Sequence, residues 1–248
     1  MSLRLRARAG LQRGLRDLAG RAGYDIVGRT GSHDLAVRHL LQGIDLVVDG
    51  GANVGQYAQS LRQAGYTGQI VSVEPGAEAF AVLSSFASRD PKWTALSSAL
   101  GPEAGTATLH LSDNSVSSSL LRVGAQHVEA APRSATTSEQ SVPVTTLDAL
   151  GRDFAAAEHV WLKLDLQGYE LPALRGGSEV LSRTDVLQVE LSVTELYEGQ
   201  STYWEVLGFL RGKGFELLQV KPGFADAQTG RLYQFDALMG SEALRSRL

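Results

Sequence analysis

The chain has 248 residues, of which 43% are hydrophobic, and a formal net charge of −4. This length and composition suffice for the core of one domain with an appendage, and the weak negative charge disfavours nucleic acid as a partner. The absence of cysteine excludes disulfides, thiolate metal sites and cysteine nucleophiles. No apolar run approaches the roughly 20 residues of a membrane span, and the basic amino-terminal segment lacks the continuous apolar stretch that is typical of a secretory signal. A cytoplasmic protein is therefore expected.

Residues 1–42 are predicted to form a helical lead-in to the main domain. Between residues 3 and 23, leucines recur among arginines and alanines, which is typical of an amphipathic helix with a basic face. The pattern favours a helix that packs its leucines on the domain, and a helix on a membrane surface is the alternative. A second helix is predicted over residues 32–41. The lead-in is expected to pack on the site or to cover it, with residues 43–248 forming the main domain.

From Ile44 onward, apolar runs alternate with helical patterns, which is typical of a parallel sheet with helices on both faces. Strands are predicted over residues 44–49, 69–74, 93–98, 159–165, 185–191, 215–220 and 232–239. Helices are predicted over residues 54–64, 76–88, 146–153, 170–182 and 201–213. The last two strands follow each other without a helix. The predicted fold is therefore α/β, with a doubly wound, seven-stranded, mostly parallel sheet that ends in an antiparallel hairpin, the Rossmann-like variant of class I methyltransferases.

The pattern loosens between the third and fourth predicted strands. Residues 105–111 alternate between apolar and polar types, as a short strand does, but the segment of about 112–141 is rich in Ser, Thr, Ala and Gly. A loop of that length inside a domain is usually a functional lid or a disordered segment. Regular structure is predicted to return at Val142, and Thr146 is expected to cap the helix that begins at Leu147.

A glycine-bearing turn, Asp49-Gly50-Gly51-Ala52-Asn53-Val54-Gly55, joins the first predicted strand to the next helix. Glycines let the backbone approach a ligand, and the helix start offers unpaired N–H groups. The dinucleotide fingerprint G-x-G-x-x-G, laid from Gly51, requires glycine where Asn53 and Gln56 stand, so NAD is disfavoured. The acid of Asp49 suits a positively charged cofactor such as S-adenosylmethionine. The candidate cofactor-binding residues of the turn are Asp49, Gly51, Ala52, Asn53 and Gly55.

Two further strand ends are predicted to contact the cofactor. Glu74 follows the second strand and precedes Pro75, and a carboxylate at this position accepts hydrogen bonds from both ribose hydroxyls. Ser98 and Ala99 end the third strand, where the adenine base would reach from a ribose held by Glu74. A plain strand exit is the alternative for these last two residues.

The fourth strand carries Lys163, Asp165 and Gln167 at a period of two. Three polar side chains on one face are costly to bury, so they either form an internal network or line the reactive site. Glu190, from the fifth strand, is expected to face Asp165 across the substrate mouth. A carboxylate there serves as a general base or binds a divalent cation, although a cation is not predicted. The alternative is a salt bridge between Glu190 and Lys163.

The histidines offer two weaker candidates for a catalytic base. None of the five has another histidine at i+4, so a zinc site is not expected. His110 and His127 flank the Ser/Thr-rich segment and are candidate bases, with a surface histidine as the alternative for each. The candidate catalytic residues are therefore Asp165, Glu190, Lys163, His110 and His127, and Asp165 is also a candidate cofactor-binding residue, since it is expected to lie near the transferred methyl group.

Three segments together resemble the FkbM family of S-adenosylmethionine-dependent methyltransferases. They are VDGGANVG at 48–55, VPVTTLD at 142–148, and LKLDLQGYE at 162–170 with LRGG at 174–177. The resemblance implies that the first motif, with Glu74 and Pro75, holds the cofactor. It also implies O-methylation of a hydroxyl on a sugar, polyketide or other secondary metabolite. Many family members have Glu where this chain has Gln167, so this position lacks the charge that a base or metal ligand would carry.

The expected function is thus methyl transfer from S-adenosylmethionine to a hydroxylated small molecule. A catalytically inactive protein that keeps the cofactor fold and acts as a partner subunit is the alternative from another class. Specificity for the acceptor is expected to reside in the loop of about 112–141 and in the amino-terminal helices rather than in the fold. Self-association as a homodimer is left open.

Overall fold

The computed structural model describes Val37, His39–Asp226 and Thr229–Arg245, and the element numbers below refer to this part of the chain. The helix predicted over residues 3–23 lies outside the described residues. Of the helix predicted over residues 32–41, the structure describes only the last few residues, most of which are helical. Within the described ranges, no helix is long and apolar enough to cross a membrane.

A seven-stranded sheet forms the centre of the described chain. The described chain has ten strands, seven in this sheet and three in a second one: β1 (Leu46–Gly50), β2 (Gln69–Val73), β3 (Trp93–Leu96), β4 (Ala99–Leu100), β5 (Gly105–Ser112), β6 (Thr136–Thr145), β7 (Val160–Leu164), β8 (Thr184–Ser192), β9 (Glu216–Pro222) and β10 (Gln234–Gly240). The large sheet has the order β3-β2-β1-β7-β8-β10-β9. Its first five strands are parallel, whereas β10 runs antiparallel to both β8 and β9. The predicted doubly wound sheet with a terminal antiparallel hairpin is confirmed.

Helices connect the strands and supply much of the core. After β1 they are α1 (Gln56–Gln63), α2 (Ala77–Ala87), α3 (Ala125–Ala130), α4 (Leu147–Asp153), α5 (Glu170–Arg175), α6 (Ser178–Ser182), α7 (Tyr203–Gly212) and α8 (Glu242–Arg245). Leucines of α4, α5 and α7 belong to the same buried cluster as Leu162 of β7 and Leu187 of β8. Every residue of β1 and of β7 is buried, as expected for central strands of a parallel sheet.

The helix predicted over residues 170–182 is wrong as a single element, because α5 and α6 are separated at Gly176 and Gly177. A Cβ atom at Gly176 would lie 2.3 Å from the carbonyl oxygen of Gly101, and one at Gly177 would lie 2.7 Å from Cδ1 of Leu147. The two glycines therefore allow a close approach between segments that are distant in sequence.

The long loop predicted over about 112–141 is also wrong, because much of it has regular structure. A second sheet of three strands has the order β4-β6-β5, with β6 antiparallel to β5 and parallel to β4. Between β5 and β6 lie α3 and two short 3-10 helices, Ser115–Ser117 and Pro132–Ser134. Most residues of β6 are polar and only Val142 is buried, so the strand lacks the apolar alternation that would predict it.

Two of the motif segments noted in the sequence meet in the structure. Thr146 Oγ1 accepts a hydrogen bond from the N–H of Ala149 at 3.0 Å, which confirms the predicted cap of α4. Asp148 Oδ1 accepts hydrogen bonds from the N–H groups of Glu179 and Val180, at 2.9 Å each, in the first turn of α6. Thr146 and Asp148 of the second motif therefore cap two helices rather than contact a ligand, and the N–H of Asp148 also donates a hydrogen bond to the carbonyl oxygen of Gly176, in the third motif, at 3.0 Å.

Candidate active site

The glycine turn after β1 lies against the carboxyl end of β7. Gly51 has a φ of 71°, and a Cβ atom at this position would lie 1.9 Å from the carbonyl oxygen of Asp165. A side chain at this position would therefore displace the backbone that carries Asp165. Asn53 has a φ of 47°, in the left-handed region that asparagine tolerates better than most residues. Its Nδ2 donates a hydrogen bond to Ser115 Oγ at 3.2 Å, which links the turn to the segment after β5.

Glu74, directly after β2, is held in place by two backbone N–H groups. Its Oε2 accepts a hydrogen bond from Asn53 N at 2.8 Å, and its Oε1 accepts one from Gly76 N at 2.7 Å. Burial raises the pKa of the carboxyl group, and the two hydrogen bonds act against that shift. Because a carboxylate has about four lone-pair sites, each oxygen retains one for a ligand.

A cavity that is partly open to solvent lies at the carboxyl ends of these strands. Seven of the predicted cofactor-binding residues line it: Gly51, Asn53, Glu74, Pro75, Ser98, Ala99 and Asp165. Apolar walls come from Val73, Leu100 and Leu109, and a further wall comes from Ser115, Val116 and the segment 118–120. The remaining three predicted cofactor-binding residues do not line the cavity; they are Asp49, Ala52 and Gly55. The cavity therefore gathers residues from both sheets around the glycine turn.

Asp49 lies beneath the turn rather than in the cavity. It is fully buried, and its Oδ1 lies 3.2 Å from the ammonium nitrogen of Lys163. Burial raises the pKa of Asp49, whereas Lys163 acts to lower it. Burial also acts against the ammonium, but the carboxylates of Asp49 and Asp165 outweigh it and raise the pKa of Lys163. The ammonium also donates hydrogen bonds to the carbonyl oxygens of Gly50, at 3.4 Å, and Gly51, at 3.2 Å, so it fastens the turn to β7.

Gln167 joins the carboxylates of Asp165 and Glu190. Its Nε2 donates hydrogen bonds to Asp165 Oδ1 at 2.6 Å and to Glu190 Oε2 at 2.7 Å, and its Oε1 accepts one from the Tyr197 hydroxyl at 2.7 Å. The predicted proximity of Asp165 and Glu190 is therefore found. The alternative salt bridge between Glu190 and Lys163 is not, because Lys163 pairs with Asp49 and, at 3.6 Å, with Asp165.

These contacts are part of a polar chain that crosses six neighbouring strands in their spatial order, from β3 to β10. Its links are Trp93 Nε1 to Ser72 Oγ (3.0 Å), Ser72 Oγ to Asp49 Oδ2 (3.4 Å), Asp49 Oδ1 to Lys163 Nζ (3.2 Å), Lys163 Nζ to Asp165 Oδ2 (3.6 Å), Asp165 Oδ1 to Gln167 Nε2 (2.6 Å), Gln167 Nε2 to Glu190 Oε2 (2.7 Å) and Glu190 Oε2 to Gln234 Nε2 (2.7 Å). The chain connects the region under the cofactor turn to the region around Glu190.

Neither candidate histidine lines the cavity. His110, on β5, is buried, with Nδ1 at 3.2 Å from Glu139 Oε1. His127, in α3, packs against the rings of Tyr197 and Phe224, and burial lowers its pKa. Among the described residues, no group of three or more histidines or carboxylates is arranged to hold a metal ion.

Several residues of the site were not predicted from the sequence. Tyr197 and Gln234 complete the hydrogen bonds of Gln167 and Glu190, and Ser119 lines the cavity and donates to the carbonyl oxygen of Gln167 at 2.8 Å. The buried tyrosine gave no local signal, because its partners lie far away in the sequence. The serine-rich composition after residue 114 was the available signal for Ser119.

The order of the seven-stranded sheet, the glycine turn and the cavity at the carboxyl ends of the strands define the Rossmann-like fold of class I methyltransferases. The family model described as the Methyltransferase FkbM domain matches residues 49–217, which is more than half of the chain. The chain belongs to the FkbM methyltransferase family. Among curated protein sequences, none matches the chain significantly.

Solved structures of methyltransferases are similar at low identity. Methyltransferase FkbM from Methylobacillus flagellatus KT is 14% identical with a TM-score of 0.48, and the match covers 78% of this chain but only 43% of that one. An rRNA methylase from Streptococcus thermophilus is 12% identical, with 87% and 99% coverage and a TM-score of 0.46. Magnesium protoporphyrin IX methyltransferase from Synechocystis PCC 6803, solved with bound SAM, is 12% identical, with 87% and 86% coverage and a TM-score of 0.42.

Proposed function

We propose that this protein transfers a methyl group from S-adenosylmethionine to a hydroxyl of a small molecule such as a sugar, a polyketide or another secondary metabolite. The observation that carries the proposal is the position of Glu74 in the cavity, beside the glycine turn that contains Gly51. A carboxylate fixed by two backbone N–H groups is a rigid acceptor for the two hydroxyls of a ribose.

The chemistry of the cavity walls supports this cofactor. Leu100, Leu109 and Ala99 offer an apolar surface for adenine, and the carboxylates of Glu74 and Asp165 suit hydroxyls and positive charge. Within the described part of the chain, no lysine or arginine is among the lining residues. The carboxylates of Glu74 and Asp165 would repel the pyrophosphate of NAD, which agrees with the departures from the dinucleotide fingerprint.

When bound, S-adenosylmethionine supplies a methyl group that the positive charge on sulfur has already activated. The protein must then align an acceptor oxygen and take up its proton. We assign the alignment of the acceptor, or of the cofactor's amino group, to Asp165, whose side chain lines the cavity and is 35% exposed.

We assign proton uptake to Glu190. Its Oε2 accepts hydrogen bonds from Gln167 and Gln234, and its carboxyl group lies within hydrogen-bonding reach of Asp165, the residue assigned to align the acceptor. Burial and then the neighbouring carboxylates raise the pKa of Glu190 well above its ordinary value, and a raised pKa makes the ionised group a stronger base. The acceptor oxygen gains the methyl group as the bond from that group to sulfur breaks, and Glu190 takes the hydroxyl proton. The positive charge of sulfur and the negative charge of the carboxylate are both neutralised, so the charges balance.

Isothermal titration calorimetry with S-adenosylhomocysteine, S-adenosylmethionine and NAD tests the cofactor assignment. We expect both adenosyl compounds to bind and NAD not to bind, and the reverse pattern would refute the proposal. Transfer of labelled methyl to a panel of hydroxylated small molecules then tests the reaction. Cofactor binding without transfer to any acceptor would favour the alternative of a catalytically inactive partner subunit.

A further inference from the structure

We propose that Gln167 is a positioning residue that couples the positive charge of the cofactor to the ionisation of Glu190. The inference rests on the proposed function and deepens it. On this view, Glu190 holds a proton while the cavity lacks a cation and releases it when S-adenosylmethionine binds. The base is therefore formed only when the methyl donor is in place.

The geometry of Gln167 supports a positioning role. The residue is buried and has a φ of 53°, in the left-handed region that few non-glycine residues adopt. Its amide hydrogens and its amide oxygen all have partners, at 2.6 to 2.7 Å. Its backbone carbonyl oxygen accepts a further hydrogen bond from Ser119 at 2.8 Å. The amide therefore has one orientation, in which a single nitrogen connects Asp165 to Glu190.

The two carboxylates differ in their access to the cavity. Asp165 lines the cavity, whereas Glu190 is not among the lining residues. Because one amide nitrogen bonds to both, the two groups are close enough for their charges to repel strongly. A positive charge in the cavity acts first on Asp165 and offsets this repulsion. Ionisation of Glu190 then becomes easier.

The other charged groups near Glu190 either raise its pKa, as Asp165 does, or are already paired with other groups. The titratable and charged groups that face it are Asp165 after β7, Glu170 at the start of α5, Asp236 on β10, Lys163 on β7 and the Tyr197 hydroxyl. Tyr57 of α1 donates a hydrogen bond to Gln188, two residues before Glu190, at 3.0 Å, and Lys221 lies 3.8 Å from Asp236. Burial first, and then these carboxylates, raise the pKa of Glu190, and the ammonium of Lys163 is shared between Asp49 and Asp165.

The two adenosyl ligands provide a matched pair for testing this coupling. S-adenosylmethionine carries a methyl group and a positive charge on sulfur that S-adenosylhomocysteine lacks, and the rest of the two molecules is the same. Calorimetric titration near pH 7 in buffers with different ionisation enthalpies gives the number of protons released per ligand bound. We expect wild-type protein to release more protons with S-adenosylmethionine than with S-adenosylhomocysteine.

Three variants identify the source of the released proton. Glu190→Gln cannot ionise and should abolish the difference between the two ligands. Gln167→Met keeps the approximate volume but removes the bridge, so the difference should fall. Gln234→Met is the matched control, because it removes one hydrogen bond to the same Glu190 oxygen and leaves the bridge to Asp165 intact. It should retain the difference.

Equal proton release with the two ligands in wild-type protein would overturn the coupling, and this result requires no variant. An unchanged difference in Gln167→Met would also overturn the role of Gln167, provided that the affinity for S-adenosylhomocysteine stays within about threefold of wild type. If neither ligand binds, the proposed function itself is refuted. The failure of the coupling and the failure of the function are thus distinct results.

Discussion

The ammonium nitrogen of Lys163 lies 3.2 Å from Oδ1 of Asp49, directly beneath the glycine turn. Both side chains are buried, and the same ammonium donates to two carbonyl oxygens of the turn. The acid at the end of β1 therefore acts through Lys163 on the shape of the turn. Lys163, a candidate catalytic residue in the sequence, has a structural role in this geometry.

Replacement of Lys163 by Met should leave the Asp49 carboxylate buried without a cation. We expect the free energy of unfolding in urea at pH 7 to fall by about 3–5 kcal/mol, the cost of breaking a buried ion pair. In the double variant Lys163→Met with Asp49→Asn, the free energy of unfolding should fall by less than in the single variant, since a neutral amide needs no counter-charge. Equal losses in the two proteins would contradict this account.

Replacement of Glu74 by Gln should weaken cofactor binding. The amide has one acceptor oxygen instead of two, so it cannot serve Asn53 N, Gly76 N and a ribose diol together. We expect the dissociation constant for S-adenosylhomocysteine to rise by about tenfold or more, measured by calorimetry. Glu78→Gln, at an exposed position in the first turn of α2, is the control and should bind as wild type does. Wild-type affinity in Glu74→Gln would remove the main support for the proposed cofactor.

Replacement of Asp165 by Ala should abolish methyl transfer if this residue aligns the reacting groups. We expect the turnover number to fall by at least about a hundredfold once an acceptor is known, because misplacement of reacting groups has that order of effect. Binding of S-adenosylhomocysteine, measured alongside, reports whether the cavity remains intact. Undiminished turnover would show that the assignment is wrong.

Glu170 should make the stability of the protein depend on pH. Its Oε1 accepts hydrogen bonds from the N–H groups of Leu166, at 2.8 Å, and Gly168, at 3.2 Å, and burial raises its pKa to about 7. Because the folded-state pKa lies above the unfolded value, the folded state binds the proton more tightly than the unfolded state. The stabilisation that comes from protonation of the Glu170 carboxyl group is therefore fully present below about pH 4.5 and is lost as the pH rises to about 7.

The variant Glu170→Gln tests this dependence. One amide oxygen can accept both backbone hydrogen bonds, and the amide does not ionise. Urea unfolding between pH 5 and pH 8 should show the stability of wild-type protein declining relative to the variant as the pH rises, by up to about 3 kcal/mol. A constant difference between the two proteins across this range would mean that Glu170 does not titrate there.

Much of the fold was predictable because its signals are local. The apolar runs of β1, β2, β7 and β8 and the helical patterns between them reflect burial of central strands on both faces. β6 was missed because backbone pairing with β5, rather than a buried apolar face, holds its polar residues in a strand. The break between α5 and α6 was missed because the chain that approaches each glycine comes from a distant segment.

The site was predictable in its position but less so in its contacts. The rule that ligands gather at the carboxyl ends of parallel strands located Glu74 and Asp165 at the cavity. The same rule could not show whether Asp49 faces the ligand or the interior, because its orientation depends on the contact with Lys163. Lys163 is 113 and 112 residues away from Gly50 and Gly51, whose carbonyl oxygens its ammonium also binds. The role of Gln167 likewise depends on partners 2, 23 and 30 residues away.

The contact between the Leu147 side chain and Gly177 has a consequence for related sequences. A Cβ atom at Gly177 would lie 2.7 Å from Leu147 Cδ1, and the adjacent Asp148 holds the first turn of α6. A larger side chain at one of these two positions therefore requires a smaller side chain at the other. Among homologues, a larger residue at the position of Gly177 should accompany a smaller one at the position of Leu147, so the two motifs should covary rather than drift independently.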